Sequence, residues 1–166
     1  MLTAFILSCT TVQTGLNKTS SKINDLTERF ERSIRDPGES MVESPEYTNK
    51  NYSCSGYKDF QLFLEHIEVV PSHISAGEDI NQRLRYSLCS RNSKDINGSI
   101  KRQIIYKNYV VFSDIQQYPF KPGTWIVDVF IEVPDDVNPG EYRMEVLLKY
   151  GYKSISENST FMVKSR

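Results

Sequence analysis

The side chains that could bind a metal ion or act as activated nucleophiles are few in this 166-residue chain. The three cysteines, Cys9, Cys54 and Cys89, lie far apart in the sequence. The two histidines, His66 and His73, lack the spacing of a zinc or metalloprotease motif. No glycine-rich phosphate loop and no Gly-x-Ser-x-Gly motif occurs. We therefore expect a protein that is not an enzyme and that needs no cofactor.

Cys9 follows a short apolar run at residues 1–8. The tetrapeptide Ile6-Leu7-Ser8-Cys9 resembles the lipobox of bacterial lipoproteins, with an aliphatic residue three positions before the cysteine and a small residue directly before it. The resemblance implies cleavage before Cys9, a lipid on its sulfur and a signal remnant at 1–8. Thr10, where an Asp would imply the inner membrane, points to an outer-membrane lipoprotein facing the periplasm or the cell surface. A start placed too far downstream would explain the shortness of the run, and an incidental cysteine is the alternative.

If Cys9 carries lipid, Cys54 and Cys89 remain as an even pair. Export to an oxidising compartment would let them form a disulfide. The bridge would join two strand ends at one pole of the domain and close a loop of about 35 residues, which stabilises a fold by roughly 3–4 kcal/mol. Two buried thiols are the alternative.

Bulk composition excludes two other classes of protein. Lys and Arg total 20 and Asp and Glu total 21, so the formal net charge of −1 predicts no general attraction to nucleic acid. No segment has the ~20 consecutive apolar residues of a transmembrane helix, so we expect membrane attachment only through lipid. Hydrophobic residues make up 39% of the chain, which is enough for one packed core.

The chain divides into an N-terminal appendage and one globular domain. Residues 9–19 are rich in polar residues and predict a flexible tether. Residues 20–35 predict an amphipathic helix, which either packs on the domain or acts as a stalk. Residues 36–53 show no periodicity and predict a linker, so the domain is expected at 54–166. The apolar positions of the predicted helix are Ile23, Leu26, Phe30 and Ile34.

The domain has the pattern of about seven short strands separated by turns. Apolar and polar residues alternate, most clearly from Trp125 onward. A change of parity near Glu65 predicts a bulge, and Lys107-Asn108 predicts a tight hairpin turn. Residues 113–122 predict a crossing between sheets, and residues 151–158 predict a polar turn. The predicted strands are 58–70, 79–89, 100–106, 109–113, 123–133, 141–150 and 158–165.

The segment from Val137 to Tyr142 lies between the last two clearly alternating runs. It resembles the tyrosine corner of immunoglobulin-like sandwiches, where Pro139 and Gly140 would turn the chain and the Tyr142 hydroxyl would bond back to the corner backbone. The resemblance implies an all-β, Ig-like or fibronectin-like Greek-key sandwich over 54–166. It departs from the antibody type, because the strand at 141–150 has no cysteine. The residues expected to face the core are Leu62, Leu84, Tyr86, Val127, Val129, Met144 and Val146, with Trp125 at least half buried.

Two loop clusters are expected at opposite poles of such a sandwich. The acidic cluster could hold Ca²⁺ through Asp79, Asp135 and Asp136, or it could simply keep the domain soluble. Because the disulfide would hold the tether at the other pole, we expect the acidic loops or a sheet edge to meet a partner. The candidate binding residues are Arg91, Lys94, Tyr152 and Lys153 near the disulfide, and Glu78, Asp79, Asp135 and Asp136 at the acidic pole.

These features favour a non-catalytic protein-binding or structural module in a lipid-anchored envelope lipoprotein, with another envelope protein as its partner. A carbohydrate-binding module is the alternative, and it would need a row of coplanar exposed rings. A hydrolase would need a convergent nucleophile and base, which the sequence does not present. The candidate rings are Tyr106, Tyr109, Tyr118, Tyr150 and Tyr152.

Overall fold

The structure, a computed structural model, describes residues 38–57, 59–90 and 92–165. Cys9, the predicted tether, the predicted helix at 20–35 and Arg91 lie outside the described residues. The elements are β1 (Gly38–Glu43), α1 (Pro45–Asn51), a short 3-10 turn (Cys54–Gly56), β2 (Phe60–Val70), β3 (His73–Ser75), β4 (Asp79–Ser90), β5 (Ile96–Tyr106), β6 (Tyr109–Phe120), β7 (Gly123–Glu132), β8 (Gly140–Tyr150) and β9 (Lys153–Lys164).

The strands form two sheets that pack face to face, so the predicted all-β sandwich is confirmed. The four-stranded sheet has the order β1-β7-β4-β2, and the five-stranded sheet has the order β3-β9-β8-β5-β6. Neighbouring strands are antiparallel, except that the short β3 runs parallel to β9. Among the described residues, no helix is both long enough and apolar enough to cross a membrane.

The core lies between the sheets and is built from alternate residues of each strand. Ile80, Leu84 and Leu88 of β4 are buried opposite Val146 and Leu148 of β8, as the period of two in these strands requires. Trp125 is partly buried against this core. The predicted core register is therefore confirmed, because every residue of the predicted inward set is buried: Leu62, Leu84, Tyr86, Val127, Val129, Met144 and Val146.

Two local predictions are also confirmed. The pairing of β2 with β4 shifts between Leu64 and His66, which is the bulge that the change of parity indicated. The hairpin between β5 and β6 turns at Lys107 and Asn108, whose φ angles are 48° and 68°. Two successive positive φ angles define the two-residue turn that matches the twist of antiparallel strands.

Tyr142 makes the contact predicted for it. Its side chain is 1% exposed, and its hydroxyl donates a hydrogen bond of 2.8 Å to the carbonyl oxygen of Asn138. The Tyr106 ring stacks on the Tyr142 ring at a centroid distance of 4.5 Å, and the Tyr106 hydroxyl donates to the carbonyl oxygen of Pro139. Burial, with a smaller effect from Tyr106, raises the pKa of Tyr142 to about 12, so the hydroxyl stays a donor at neutral pH.

The predicted disulfide is present. Cys54 and Cys89 are bonded, and their Cα atoms lie 5.4 Å apart. The bridge links the 3-10 turn before β2 to the end of β4, and it closes a separation of 35 residues.

The prediction of a linker at 36–53 is wrong for the described part of that segment. β1 pairs with the edge of β7 from Gly38 opposite Asp128 to Glu43 opposite Thr124. α1 packs on the same sheet through Thr48, which is fully buried. The sequence does not reveal β1, because an edge strand whose side chains are almost all exposed needs no apolar alternation. The disulfide therefore does not mark where the chain enters the domain, and the orientation argument built on it fails.

Some strand limits also differ from prediction, and one strand was not predicted. β6 continues to Phe120, so the expected crossing at 113–122 is mostly strand. Pro119 is compatible with β6 because an edge strand can turn a missing N–H toward solvent. β9 begins at Lys153, so the turn predicted at 151–158 is confined to a tight connection. β3 lies in what reads as a loop after Pro71.

Replacing Tyr142 by Phe should destabilise the domain by about 0.5–1.5 kcal/mol, the net value of an ordinary hydrogen bond. We expect the loss to stay modest because Asn138 is an exposed residue, so that water would replace the tyrosine hydroxyl at its carbonyl oxygen. Urea unfolding of the full chain measures the change. Tyr152→Phe, at a fully exposed ring, is the control and should leave the midpoint unchanged. Equal midpoints for wild type and Tyr142→Phe would show that this bond does not hold the corner.

Candidate functional site

The acidic loops are the place where the sequence allowed a calcium site. Within the described residues, no group of three or more His, Cys, Asp or Glu side chains is placed to hold a metal ion. Glu78 instead accepts a hydrogen bond of 2.6 Å from the backbone N–H of Ser75, within its own turn. Asp79 opens β4, whereas Asp135 and Asp136 lie in the loop after β7. In the part of the chain that the structure describes, Asp79, Asp135 and Asp136 are thus not grouped as a metal site, and the structure does not favour the Ca²⁺ interpretation.

The loops near the disulfide form a shallow cleft of about 440 Å³. Lys94 lines it, as predicted, and the Ser90 side chain holds this loop by donating to the Lys94 carbonyl oxygen at 2.9 Å. Lys153 lies elsewhere on this pole, where it donates to Gln61 at 3.1 Å. Tyr152 is fully exposed. Of the predicted residues at this pole that the structure describes, Lys94 lines the cleft and Tyr152 and Lys153 do not. The residues that line the cleft are Asp59, Phe60, Ser90, Asn92, Lys94, Asp95, Ile96 and Asn97.

A second cleft, of about 470 Å³, lies at the opposite pole beside the corner. The Tyr106 ring forms part of its wall, and Lys107 lies over that ring with Nζ 5.0 Å from the centroid. Glu141 and Arg143 of β8 complete a mixed-charge rim. This pole is therefore less acidic than the sequence predicted, because Lys107 of the hairpin turn and Arg143 of β8 add positive charge to it.

The candidate rings do not form a sugar-binding row. Tyr118 and Tyr150 are buried, at 6% and 2% exposure, and Tyr106 stacks on Tyr142 beneath it. Tyr109 and Tyr152 are exposed, but they lie at opposite ends of the sandwich, one opening β6 and the other joining β8 to β9. A carbohydrate platform needs several exposed rings in one plane, so the arrangement does not favour this alternative.

The two histidines lie in solvent. The His66 side chain on β2 is 64% exposed, with Nε2 4.0 Å from a carboxylate oxygen of Glu68. The exposed His73 opens β3, and its Nδ1 lies 3.2 Å from the hydroxyl of its neighbour Ser72. Neither imidazole lines the two clefts described above. The expectation that the chain is not an enzyme stays a prediction.

A carboxylate network that the sequence did not indicate lies where β2, β4 and the segment after α1 meet. Tyr52 donates its hydroxyl proton to one Glu65 oxygen at 2.6 Å, and Ser87 donates to the same oxygen. Arg85 Nε donates to the other oxygen. Desolvation alone would raise the pKa of Glu65, but the hydrogen bonds from Ser87, Tyr52 and Arg85 outweigh it and hold the pKa below its usual value. The network therefore requires an ionised Glu65.

A second unexpected network surrounds a buried cation between the sheets. Arg102 of β5 is 1% exposed, and its Nε donates to the Gln82 side-chain oxygen of the opposite sheet at 2.8 Å. Its Nη1 donates to Asp114 at 3.3 Å and to Gln116 at 3.1 Å, both on β6. A sequence signal existed, because Arg102 occupies the inward parity between Ile100 and Ile104. The inner face of β6 is thus fixed by charge and hydrogen bonds, and not by apolar packing alone.

The longest exposed strand edge belongs to β6. Its only sheet neighbour within the described residues is β5. Tyr109, Val110 and Ile115 of β6 are 58%, 41% and 62% exposed, so the edge presents apolar side chains to solvent. An exposed edge strand offers both unpaired backbone groups and side chains to another chain. We take the β6 edge, together with the two clefts, as the candidate interaction surfaces.

No protein-family model matches this sequence, and no curated protein matches it. Among solved structures, the chain resembles the alkylpurine DNA glycosylase AlkC of Pseudomonas fluorescens at 14% identity and a TM-score of 0.47, over 64% of this chain and 31% of that one. It also resembles a family 123 glycoside hydrolase of Clostridium perfringens at 13% identity and a TM-score of 0.45, over 79% of this chain and 28% of that one. The sporulation control protein Spo0M of Bacillus subtilis is similar at 10% identity and a TM-score of 0.44, over 66% of this chain and 51% of that one. The chain spans at most about half of these three proteins, and the likeness is too distant to carry a functional argument.

Replacing Glu65 by Gln should lower the free energy of unfolding at pH 7 by about 1–3 kcal/mol, because charge-assisted hydrogen bonds are lost from a side chain that is 17% exposed. The folded-state pKa is lowered, so this stabilisation is present above the unfolded pKa of about 4.3 and is lost as the pH falls through the folded value. The difference in the free energy of unfolding between wild type and Glu65→Gln should therefore disappear below about pH 4.

Urea unfolding from pH 7 to pH 3 makes this measurement, and the exposed Glu132→Gln controls for the loss of one carboxylate. A gap between wild type and Glu65→Gln that stays constant over this range would contradict an ionised Glu65 in the network.

Proposed function

We propose that this chain is a lipid-anchored lipoprotein of the bacterial cell envelope, that Thr10 directs it to the outer membrane, and that its Ig-like domain binds protein without catalysis. The observation that carries the proposal is the disulfide between Cys54 and Cys89. Disulfides persist in exported proteins, and this pairing leaves Cys9 as the single remaining thiol of the chain. A lipid on Cys9 gives each cysteine a chemical role in one compartment.

The strand order supports an Ig-like assignment of the sandwich. In Ig-like folds, strands A, B and E form one sheet with D at its edge, and strands C, F and G form the other with C′ beside C. β2, β4 and β7 take the A, B and E positions here, and β5, β8 and β9 take those of C, F and G. The hydrogen bond from Tyr142 to Asn138 matches the corner between E and F. The position of strand D is filled by β1, which comes from the N-terminal side of the domain.

Protein binding is favoured by the kind of surface that the domain exposes. Its clefts are open and shallow, and they lie at the loops of both poles. The exposed apolar side chains on β6 lie on a strand whose only sheet neighbour among the described residues is β5, which is the arrangement used when a sheet accepts another strand. A polypeptide partner could pair its backbone with β6 and cover the exposed apolar side chains. A sugar has no backbone amides with which to extend the sheet.

Replacing Cys9 by Ser should release the protein from membranes. In wild type, intact-mass measurement on the detergent-extracted protein should give a chain that begins at Cys9 and carries lipid. Cys9→Ser should remain in the soluble fraction, because it lacks the lipid and its described residues include no helix long and apolar enough to cross a membrane. The double variant Cys54→Ser/Cys89→Ser is the matched control and should keep the lipid. An unmodified Met1 together with a free thiol at Cys9 would refute the proposal.

A further inference from the structure

β6 is the least protected of the sheet edges in the described part of the chain. Natural edge strands are usually short or carry charges that discourage pairing with another chain. β1 has six residues and two glutamates, β3 has three residues, and β2 carries Glu65, His66 and Glu68. β6 has twelve residues and a single charge, Asp114, which pairs with the buried Arg102. No charge on β6 is therefore directed at an approaching strand.

The position of Pro119 in β6 indicates which residues of that strand direct their backbone groups away from β5. In an antiparallel pair, the residues whose N–H and C=O groups point at the neighbour alternate with residues whose groups point away. Pro119 has no N–H, so it occupies a position that points away from β5. Gln117, Ile115 and Ser113 have the same parity in a stretch where the pairing with β5 is regular. Their backbone donors and acceptors therefore point outward.

We propose that this edge pairs with the same edge of a second copy of the chain, in an antiparallel arrangement with a two-fold axis through Ile115. Ile115 then lies opposite Ile115 of the second copy, and Ser113 lies opposite Gln117 of the second copy. Each of these three directly opposed pairs supplies two backbone hydrogen bonds, so about six form in total. The two five-stranded sheets join into one continuous sheet across the dimer.

The choice of a second copy rests on the charge and shape of the edge. A two-fold axis brings the same surface of both copies together. A charged residue close to the axis would therefore face a like charge, which destabilises the pairing. Here the directly opposed outward positions are an isoleucine pair and two serine–glutamine pairs. Ile115 is 62% exposed and lies on the axis, where burial against its own copy removes apolar surface from water on both sides. A closed dimer also consumes both exposed edges, which prevents open-ended assembly.

The inference rests on the proposed function only in taking the domain to be a protein-binding module, and it names the partner. It does not depend on lipid. The test therefore uses the full chain with Cys9→Ser, which removes both the lipid and any intermolecular disulfide through Cys9. Cys54 and Cys89 are already bonded to each other in this background.

The first experiment measures mass by analytical ultracentrifugation at protein concentrations up to about 100 μM, since dimer populations depend on concentration. The Cys9→Ser chain should approach twice 19.2 kDa. Adding Ile115→Lys should weaken dimerisation by at least about tenfold, because two ammonium groups then oppose each other on the axis. A mixture of the Ile115→Lys and Ile115→Glu chains should restore the dimer. Phe130→Lys, at an exposed apolar residue of β7, is the matched control and should remain dimeric.

The second experiment tests the register with single cysteines in the same background. Ile115→Cys should form a disulfide-linked dimer on mild oxidation, because opposed residues in a hydrogen-bonded pair have Cα atoms ~5.5 Å apart, within disulfide range. Gln117→Cys alone should not link, since the two copies of residue 117 would lie about 14 Å apart. A mixture of Ser113→Cys and Gln117→Cys chains should link.

The outcomes separate this inference from the proposed function. A monomer for the Cys9→Ser chain at all concentrations would overturn the inference, whether the edge is left open or is covered by the chain's own N-terminal residues. Dimers that survive Ile115→Lys, or that link equally well through Gln117→Cys, would overturn it as well. A dimer that behaves as expected, from a chain whose Cys9 carries no lipid in cells, would support the inference while the lipoprotein proposal fails.

Discussion

The two sheets can bury their apolar faces against each other only while each strand keeps its alternation in register. A slip of one residue in β4 would exchange Leu84 for Arg83 or Arg85 in the core. The bulge between Leu64 and His66 shows how the register is preserved, because it absorbs one extra residue of β2 and returns Ile67 to the inward side. β4 and β7 are the two central strands of the four-stranded sheet, and their pairing shows no register shift.

One interior position departs from this apolar rule, and its consequences reach the surface. Arg102 occupies an inward site of β5 and is buried, so desolvation lowers its pKa, and its guanidinium needs hydrogen-bond partners. Gln82 of the opposite sheet accepts from Nε, and Asp114 and Gln116 of β6 accept from Nη1. These bonds hold β5 and β6 in one arrangement, because removing a partner would leave the buried guanidinium with fewer hydrogen bonds. The ion pair draws the only charge of β6 inward and leaves the outer edge of that strand neutral.

The other sheet is closed at its edge by chain that precedes the sandwich. β1 covers part of β7, and Glu39 reaches across to the Tyr118 hydroxyl at 2.7 Å on the five-stranded sheet. Thr48 of α1 contacts Thr124 at 3.0 Å, and the Cys54–Cys89 disulfide fixes the return to β2. The two edges on this side of the sandwich are thus unlike within the part of the chain that the structure describes: β1 covers the edge of β7, whereas β6 has β5 as its only sheet neighbour. This asymmetry is the structural reason to place a partner on β6.

The sequence by itself determined the parts of the fold that depend on local pattern. Alternation identified the inward residues of β4, β7 and β8, the change of parity placed the bulge, and the position of Tyr142 after Pro139-Gly140 indicated its hydrogen bond. These features follow from the period of two in a strand and from turn geometry, which neighbouring residues specify. Tertiary structure alone decided that residues 38–51 belong to the domain and that β6 extends to Phe120. β1 and β6 lie at sheet edges, where pairing with one neighbouring strand and hydrogen bonds between the sheets hold the residues in place. Their sequences lack a clear apolar alternation, so the local pattern does not indicate a strand.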